Sequence, residues 1–189
     1  MQELIDRIKK DGSVRPGGIL KVDSFLNHKI DPQLMYDMAQ EVKALYAGET
    51  VTKVLTVEAS GIAFAIMVGY ALGCPVVFAK KSKSSNIADT VYAAQVHSYT
   101  HGNDNTVIVS KEHISASDRV LLVDDFLAMG EALRGLAEIV SQAGAATVGA
   151  AIAIEKAFQP GGRLLRESGM RVESLARIAF MSDDDVEFC

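Results

Sequence analysis

Three residue types are scarce in this sequence, which has no tryptophan, four prolines and two cysteines among 189 residues. Cys74 and Cys189 have neither metal-site spacing nor the density of a disulfide framework, so we expect two free thiols in a reducing compartment. Positive charge is also in deficit, with 19 Lys and Arg against 24 Asp and Glu. Because a net charge of −5 gives no general attraction to phosphate backbones or anionic lipids, a small-molecule ligand is favoured over nucleic acid.

No stretch is both apolar and free of charge over the length that a membrane-spanning helix requires. The first residues, MQELIDRIKKDG, predict an amphipathic charged helix rather than a signal peptide. A cytoplasmic protein without a membrane partner is therefore expected. Internal repeats and low-complexity tracts are missing as well, and the length predicts a single domain, 1–189.

Apolar runs alternate with helical patterns along the middle of the chain. Strands are predicted from TKVLTV, CPVVFAKK, RVLLVDD and ATVGAAIAIEK. Helices are predicted at 32–46, 61–73, 130–143 and 163–168, the last following a loop at FQPGG, and antiparallel strands at 91–99 and 106–110. Because strands buried on both faces read as continuous apolar runs, the expected fold class is α/β, with a mostly parallel sheet flanked by helices.

Two adjacent carboxylates, Asp124 and Asp125, follow the apolar strand RVLLV. Ligands of a parallel sheet bind outside the carboxyl ends of its strands, where two like charges repel unless hydroxyls or a cation share the site. A helix cap beside one solvated carboxylate would give the same pattern. The next stretch, 128–132, brings successive backbone amides and small side chains to the start of a helix. That arrangement is typical of a phosphate-binding loop.

Two weaker patterns fit a diphosphate ligand. Ser60 and Gly61 belong to a turn, EASG, that follows a strand and opens a helix, although such a turn is often only a turn. Lys80, Lys81 and Lys83 lie at the start of a polar stretch, 82–89. This stretch is either a mobile lid or a solvated surface.

Together, the strand, the two acids and the small-residue loop resemble the phosphoribosyl-diphosphate (PRPP) signature of the type I phosphoribosyltransferases. The resemblance implies that Asp124 and Asp125 are the catalytic pair and hold the ribose hydroxyls. It also implies a 5-phosphate loop at Ala128, Met129, Gly130, Glu131 and Ala132, and diphosphate or lid residues at Ser60, Gly61 and Lys81. Mg²⁺ would be carried by PRPP without a metal site of the protein's own, and the chain would form a homodimer.

The loop departs from the commonest family pattern, which has threonine at the second and last positions and glycine at the fourth. Met129, Glu131 and Ala132 stand there and cannot supply those hydroxyls. We therefore expect backbone amides to bind the phosphate and Glu131 to point outward.

A wider resemblance indicates the acceptor base. The stretches LKVDSFLNHKIDP, IEKAFQPGG and RVESLARI resemble the xanthine-using members of the family, over nearly the whole chain. This resemblance implies a small hood over the purine, formed by about 1–35 and about 156–189, with xanthine contacts from Leu20, Asn27 and Lys156. The implied reaction transfers the 5-phosphoribosyl group from PRPP to N9 of xanthine, giving XMP and pyrophosphate in purine salvage.

Two alternatives stay open at this point. One keeps the reaction and changes the base to hypoxanthine, guanine or adenine. The other is a regulator that uses the same fold to sense PRPP without catalysis. Some purine repressors resemble such a protein, although such regulators usually carry a DNA-binding module.

Overall fold

Ten strands are found in the computed structural model, which describes residues 1–82, 89–98, 103–182 and 185–189. They are β1 (Ser13–Arg15), β2 (Ile19–Lys21), β3 (Lys53–Val57), β4 (Val76–Ser82), β5 (Val91–Ser98), β6 (Asn103–Ser110), β7 (Arg119–Leu127), β8 (Ala146–Lys156), β9 (Val172–Met181) and β10 (Val186–Phe188). Strands β1 and β2 form a separate hairpin. The other eight form one sheet, in the order β10-β9-β8-β7-β3-β4-β6-β5.

Five α-helices lie in the same described part of the chain. They are α1 (Gln2–Asp11), α2 (Pro32–Leu45), α3 (Gly61–Leu72), α4 (Glu131–Gln142) and α5 (Gly161–Glu167). Short helical turns, of π and 3₁₀ type, cover Asp23–Asn27 and Lys111–His113. No helix among the described residues is long and apolar enough to cross a membrane.

The central strands β4, β3, β7, β8 and β9 are parallel, whereas β5, β6 and β10 pair antiparallel at the two edges. The run from Val120 to Val123 in β7 is fully buried, as expected for a strand that is covered on both faces. One hydrophobic cluster joins this sheet to α1, α2 and α3, and a second joins it to α4 and α5 on the other face. The predicted α/β class is therefore confirmed.

Helix α2 shows how local sequence sets an element. Asp31 precedes it, and its carboxylate accepts hydrogen bonds from the amides of Gln33 and Leu34 at 3.2 and 3.3 Å. Pro32 occupies the first helical position, where its missing N–H costs no intrahelical bond. The predicted start at Pro32 is confirmed, and the end at Leu45 differs from the prediction by one residue.

Several boundaries differ from the sequence-based prediction. Helix α5 begins at Gly161, inside the predicted FQPGG loop, because Gly161 is buried against the backbone of 128–130 and Gly162 against the side chains of Glu155 and Arg166. The predicted polar loop before α2 contains the π-helical turn at Asp23–Asn27. The short strands β1 and β10 were not predicted, since three residues are too few for a recognisable period.

The two predicted hood segments are joined to the large sheet. Strands β9 and β10 extend that sheet, and the buried side chains of α1 belong to the same hydrophobic cluster as those of β9. That these segments form a hood over a purine stays a prediction. Of the predicted lid, Lys83 and the stretch to residue 88 lie outside the described residues.

Candidate active site

A cavity of about 420 Å³ opens where β3 and β7 approach their carboxyl ends. Two groups of predicted site residues line it. The first is the acid doublet with the small-residue loop, namely Asp124, Asp125, Ala128, Met129, Gly130, Glu131 and Ala132. The second comes from the predicted diphosphate site, namely Ser60 and Lys81. Strand β7 continues to Leu127, because its pairing with β8 extends to Glu155, so the doublet lies within the strand rather than after it.

The two carboxylates have different surroundings although both are nearly buried, with 5 % and 6 % of Asp124 and Asp125 exposed. Asp125 accepts a hydrogen bond from Ser60 Oγ at 3.0 Å and a longer one from Asn27 Nδ2 at 3.5 Å. Asp124 Oδ1 accepts from the backbone amide of Asp125 at 3.0 Å. The turn after β3 and the π-helical turn therefore both reach the doublet.

The pKa of Asp124 is raised well above its ordinary value, first by burial and then by the neighbouring charge of Asp125. The positive charge of Lys81 acts in the opposite direction and is a smaller influence. Gly61, at the start of α3, packs against the Asp124 side chain and contributes to its burial. A Cβ added to this glycine would overlap Thr56 Oγ1 and lie 2.8 Å from Asp124 Oδ1. The site thus holds a carboxylate whose charge is unfavourable until a ligand compensates it.

Replacing Asp124 by asparagine is expected to stabilise the free protein near neutral pH. A carboxyl whose folded-state pKa is raised destabilises the native state once pH exceeds its unfolded value, about 3.9, and asparagine removes that charge without changing the shape. Urea unfolding would therefore give a higher midpoint for the variant near neutral pH, with the gain shrinking towards pH 4. An equal or lower midpoint near neutral pH would contradict the expectation, and Asp6→Asn, at an exposed helix position, is the control.

The predicted 5-phosphate loop leads into α4. Gly130 adopts φ +84°, a left-handed conformation that favours glycine, immediately before the helix begins. The first-turn amides of α4, which have no partners within the helix, therefore border the cavity together with the loop. Glu131 forms an ion pair with Arg134, whose guanidinium also donates to the carbonyl of Met129 at 3.0 Å. This pairing offsets the negative charge of Glu131 beside the loop.

Residues of the predicted diphosphate site do not all face the cavity. Ser60 and Lys81 line it, whereas Gly61 is buried behind it against Thr56 and Asp124. Glu58 was noted only as part of the EASG turn. It lines the cavity, and its carboxylate accepts from the backbone amide of Lys81 at 2.6 Å. No local pattern could have indicated this bond, because Glu58, in the turn after β3, and Lys81, in β4, lie 23 positions apart.

The three predicted base contacts are more scattered. Asn27 reaches Asp125, and among the described residues its buried Oδ1 has no hydrogen-bond partner. Lys156, at the end of β8, donates from Nζ to the carbonyl of Gly18 at 3.0 Å, and burial lowers its pKa. Leu20 is 7 % exposed and lines a different cavity, beside α1 and β10. The structure therefore joins Asn27 to the acid doublet through a hydrogen bond, but none of the three residues lines the 420 Å³ cavity.

Three comparisons with known proteins bear on this site. Residues 21–169 match the family model described as the phosphoribosyl transferase domain. Xanthine phosphoribosyltransferase of Limosilactobacillus reuteri is 52% identical over 188 residues, covering 100% of this chain and 98% of that protein. The protein of the same name from Brevibacillus brevis is 50% identical, covering 100% and 96%.

The fold is shared with solved structures of much lower identity. The APRTase of Giardia lamblia, solved in complex with 9-deazaadenine, has a TM-score of 0.79 and 21% sequence identity, covering 94% of this chain and 98% of its own. This likeness confirms the predicted fold of a mostly parallel sheet with flanking helices. Given the family match and the full-length relatives, the chain belongs to the phosphoribosyl transferase family, within its group of xanthine phosphoribosyltransferases.

Proposed function

We propose that this enzyme transfers the 5-phosphoribosyl group from PRPP to N9 of xanthine, giving XMP and pyrophosphate in purine salvage. Relatives named for xanthine, about half identical over the whole chain, support the acceptor. The observation that carries the donor is the single cavity in which an acid doublet, a helix-opening loop and Ser60 meet. These three features suit, in turn, the ribose, the 5-phosphate and the diphosphate of one PRPP molecule.

The acid doublet suits the charge that develops on the ribose. As the bond from ribose C1 to the diphosphate oxygen breaks, positive charge grows on the ring, and N9 then bonds to the same carbon. Negative charge fixed beside this ring stabilises the transition state more than the ground state. Asp125, oriented by Ser60 and Asn27, is the better fixed of the two carboxylates. No protein nucleophile is required, so positioning of the substrates and exclusion of water supply the rest of the rate acceleration.

Mg²⁺ fits this site as a companion of PRPP. No group of three or more His, Cys, Asp or Glu side chains that suits a metal ion occurs in the described part of the chain. Mg²⁺ commonly binds through one or two carboxylates and the phosphates of a substrate, and the doublet provides two carboxylates at the cavity. When bound, the ion would neutralise charge on the departing diphosphate. Ser60, Lys81 and nearby backbone amides would hold the diphosphate.

The base contacts of Asn27 and Lys156 suit a dioxopurine. Oδ1 of Asn27, which has no hydrogen-bond partner in the described part of the chain, can accept from a purine N–H, and Nζ of Lys156 keeps donors beyond the one used on Gly18. Donors facing the 2-position favour the oxo group of xanthine over the amine of guanine, because the amine would leave them unpaired. The contact of Leu20 would come from its backbone or the edge of its side chain.

Pyrophosphate release with Mg-PRPP and each of four purines tests the proposed function directly. We expect the largest kcat/KM with xanthine, and lower values with guanine, hypoxanthine and adenine. Preference for another base would refute the roles given to Asn27 and Lys156 while retaining the reaction. PRPP binding without pyrophosphate release from any base would refute catalysis and leave the regulator as the explanation.

Replacing Lys156 by alanine is expected to raise KM for xanthine at least about tenfold, with less than about a twofold change for PRPP. The reason is that the removed ammonium would face the base and not the phosphates. Steady-state kinetics with each substrate varied in turn would measure the two constants. The exposed Lys43→Ala serves as the control. Equal increases in both constants would remove Lys156 from the base site.

A homodimer is proposed as well, supported by exposed apolar side chains on α3 and β4. Ile66 and Tyr70 of α3 are 52% and 75% exposed, and Phe78 of β4 is 40% exposed. Light scattering on the purified protein would test this proposal, and a monomer at assay concentrations would refute it. The cytoplasmic location stays a prediction from the cysteine usage, the charged first residues and the lack of a long uncharged apolar stretch in the sequence.

A further inference from the structure

Helix α5 lies directly against the loop 128–132. The amide of Gly161 donates to the carbonyl of Ala128 at 3.1 Å. A Cβ added to Gly161 would overlap that carbonyl and lie 2.5 Å from Met129 C and 2.6 Å from Gly130 N. All three neighbours are backbone atoms, which cannot move aside by a rotamer change. The loop and α5 therefore approach as closely as two backbones can, and only glycine fits between them.

Helix α5 is held in turn by a buried carboxylate. Glu155 of β8 is 1% exposed and accepts from Arg166 of α5 through two hydrogen bonds of 2.7 Å. Ser174 and Arg177 of β9 donate to the same carboxylate at 2.6 and 3.3 Å. A bidentate guanidinium–carboxylate pair fixes orientation as well as distance. The helix is thus anchored to two strands of the sheet, next to the end of β7 from which the loop emerges.

We propose that Gly161 is a positioning residue for PRPP, acting as the rigid backing that aims the amides of 128–132 at the 5-phosphate. The inference rests on the proposed function, because it takes this loop as the 5-phosphate site. Since the loop has no threonine hydroxyls, its affinity for the 5-phosphate depends on the directions in which its backbone N–H groups point. These directions change when the backbone shifts by a few tenths of an ångström. A substitution behind the loop then weakens phosphate binding without touching the ligand.

The test compares two ligands whose phosphates occupy different parts of the site. Ribose 5-phosphate probes the loop, and pyrophosphate with Mg²⁺ probes the region of Ser60 and Lys81. For Gly161→Ala, calorimetry is expected to show at least about a tenfold weaker Kd for ribose 5-phosphate and less than about a twofold change for pyrophosphate. KM for PRPP should rise by a similar factor while KM for xanthine changes little, and the backbone shift that the added Cβ forces should lower the thermal midpoint without unfolding the protein at assay temperature. Gly48→Ala is the matched control, because an added Cβ there meets nothing within 4 Å.

A merely structural role for Gly161 would give a different pattern. Equal loss of both ligands together with a lowered thermal midpoint, or unchanged affinity for ribose 5-phosphate, would overturn the inference. If Gly161→Ala does not fold, Arg166→Lys keeps the charge but loses the bidentate geometry, and the same selective loss is expected of it. Selective loss would support the inference, and loss of both ligands or of neither would overturn it. Failure of wild-type protein to bind ribose 5-phosphate would instead refute the loop assignment itself.

Discussion

Replacing Asp125 by asparagine is expected to lower kcat at least about a hundredfold while the protein stays folded. The carboxylate accepts from Ser60 at Oδ1 and from Asn27 at Oδ2, and asparagine keeps the shape but only one of these two acceptor oxygens. With that oxygen turned to Ser60, the variant keeps the shorter hydrogen bond and loses the negative charge beside the ribose together with the 3.5 Å bond from Asn27. The loss should appear in kcat more than in KM, because a charge that favours the transition state acts little on the ground state.

Single-turnover kinetics with saturating Mg-PRPP and xanthine would measure this effect apart from product release. Circular dichroism and thermal unfolding would verify the fold. The exposed Asp6→Asn should behave like the wild type, since the one hydrogen bond of its carboxylate among the described residues comes from Gln2 of the same helix. Wild-type kcat in Asp125→Asn would remove this carboxylate from the mechanism, whatever its position in the cavity.

Replacing Glu155 by glutamine should produce the largest change in stability, lowering the free energy of unfolding by about 3 kcal/mol. The carboxylate is buried and accepts from Arg166, Ser174 and Arg177, so removing its charge leaves two guanidinium groups without their partner. Glu167→Gln is a matched control on α5, the helix that carries Arg166. Its pair with Arg163 is exposed on both sides, at 56% and 64%, and should contribute less than about 1 kcal/mol.

The pH dependence of the stability difference between the wild type and Glu155→Gln distinguishes the contribution of the Glu155 charge from that of packing. Arg166 and the other donors lower the pKa of Glu155 despite its burial. A carboxyl with a lowered folded-state pKa contributes stability above its unfolded pKa, about 4.3, and loses it as pH falls through the folded value. The difference in urea midpoint between the wild type and Glu155→Gln should therefore stay constant above about pH 4.3 and shrink progressively as pH falls below it. A difference that persists unchanged well below that pH would attribute the effect to packing.

Local patterns in the sequence were sufficient for the main elements. The start of α2 follows from Asp31 and Pro32, because a cap and a first-turn proline act within one helical turn. Strand β7 follows from four consecutive apolar residues, which only a strand buried on both faces requires. Helix α5 was predicted two residues too late, since two glycines after a proline normally indicate a loop. The burial of Gly161 against Ala128 and of Gly162 against Glu155 explains why both glycines lie in the helix.

The sequence by itself determined the chemistry available for PRPP, because the acid doublet and the amide loop are contiguous and their spacing is local. It also indicated the family, through residues spread along the chain. Tertiary structure alone decided what orients these groups. Asn27 and Ser60 reach Asp125 from 98 and 65 positions away, and Gly161 backs the loop from another helix. Such contacts leave no periodic trace, because packing between distant segments depends on shape and not on sequence spacing.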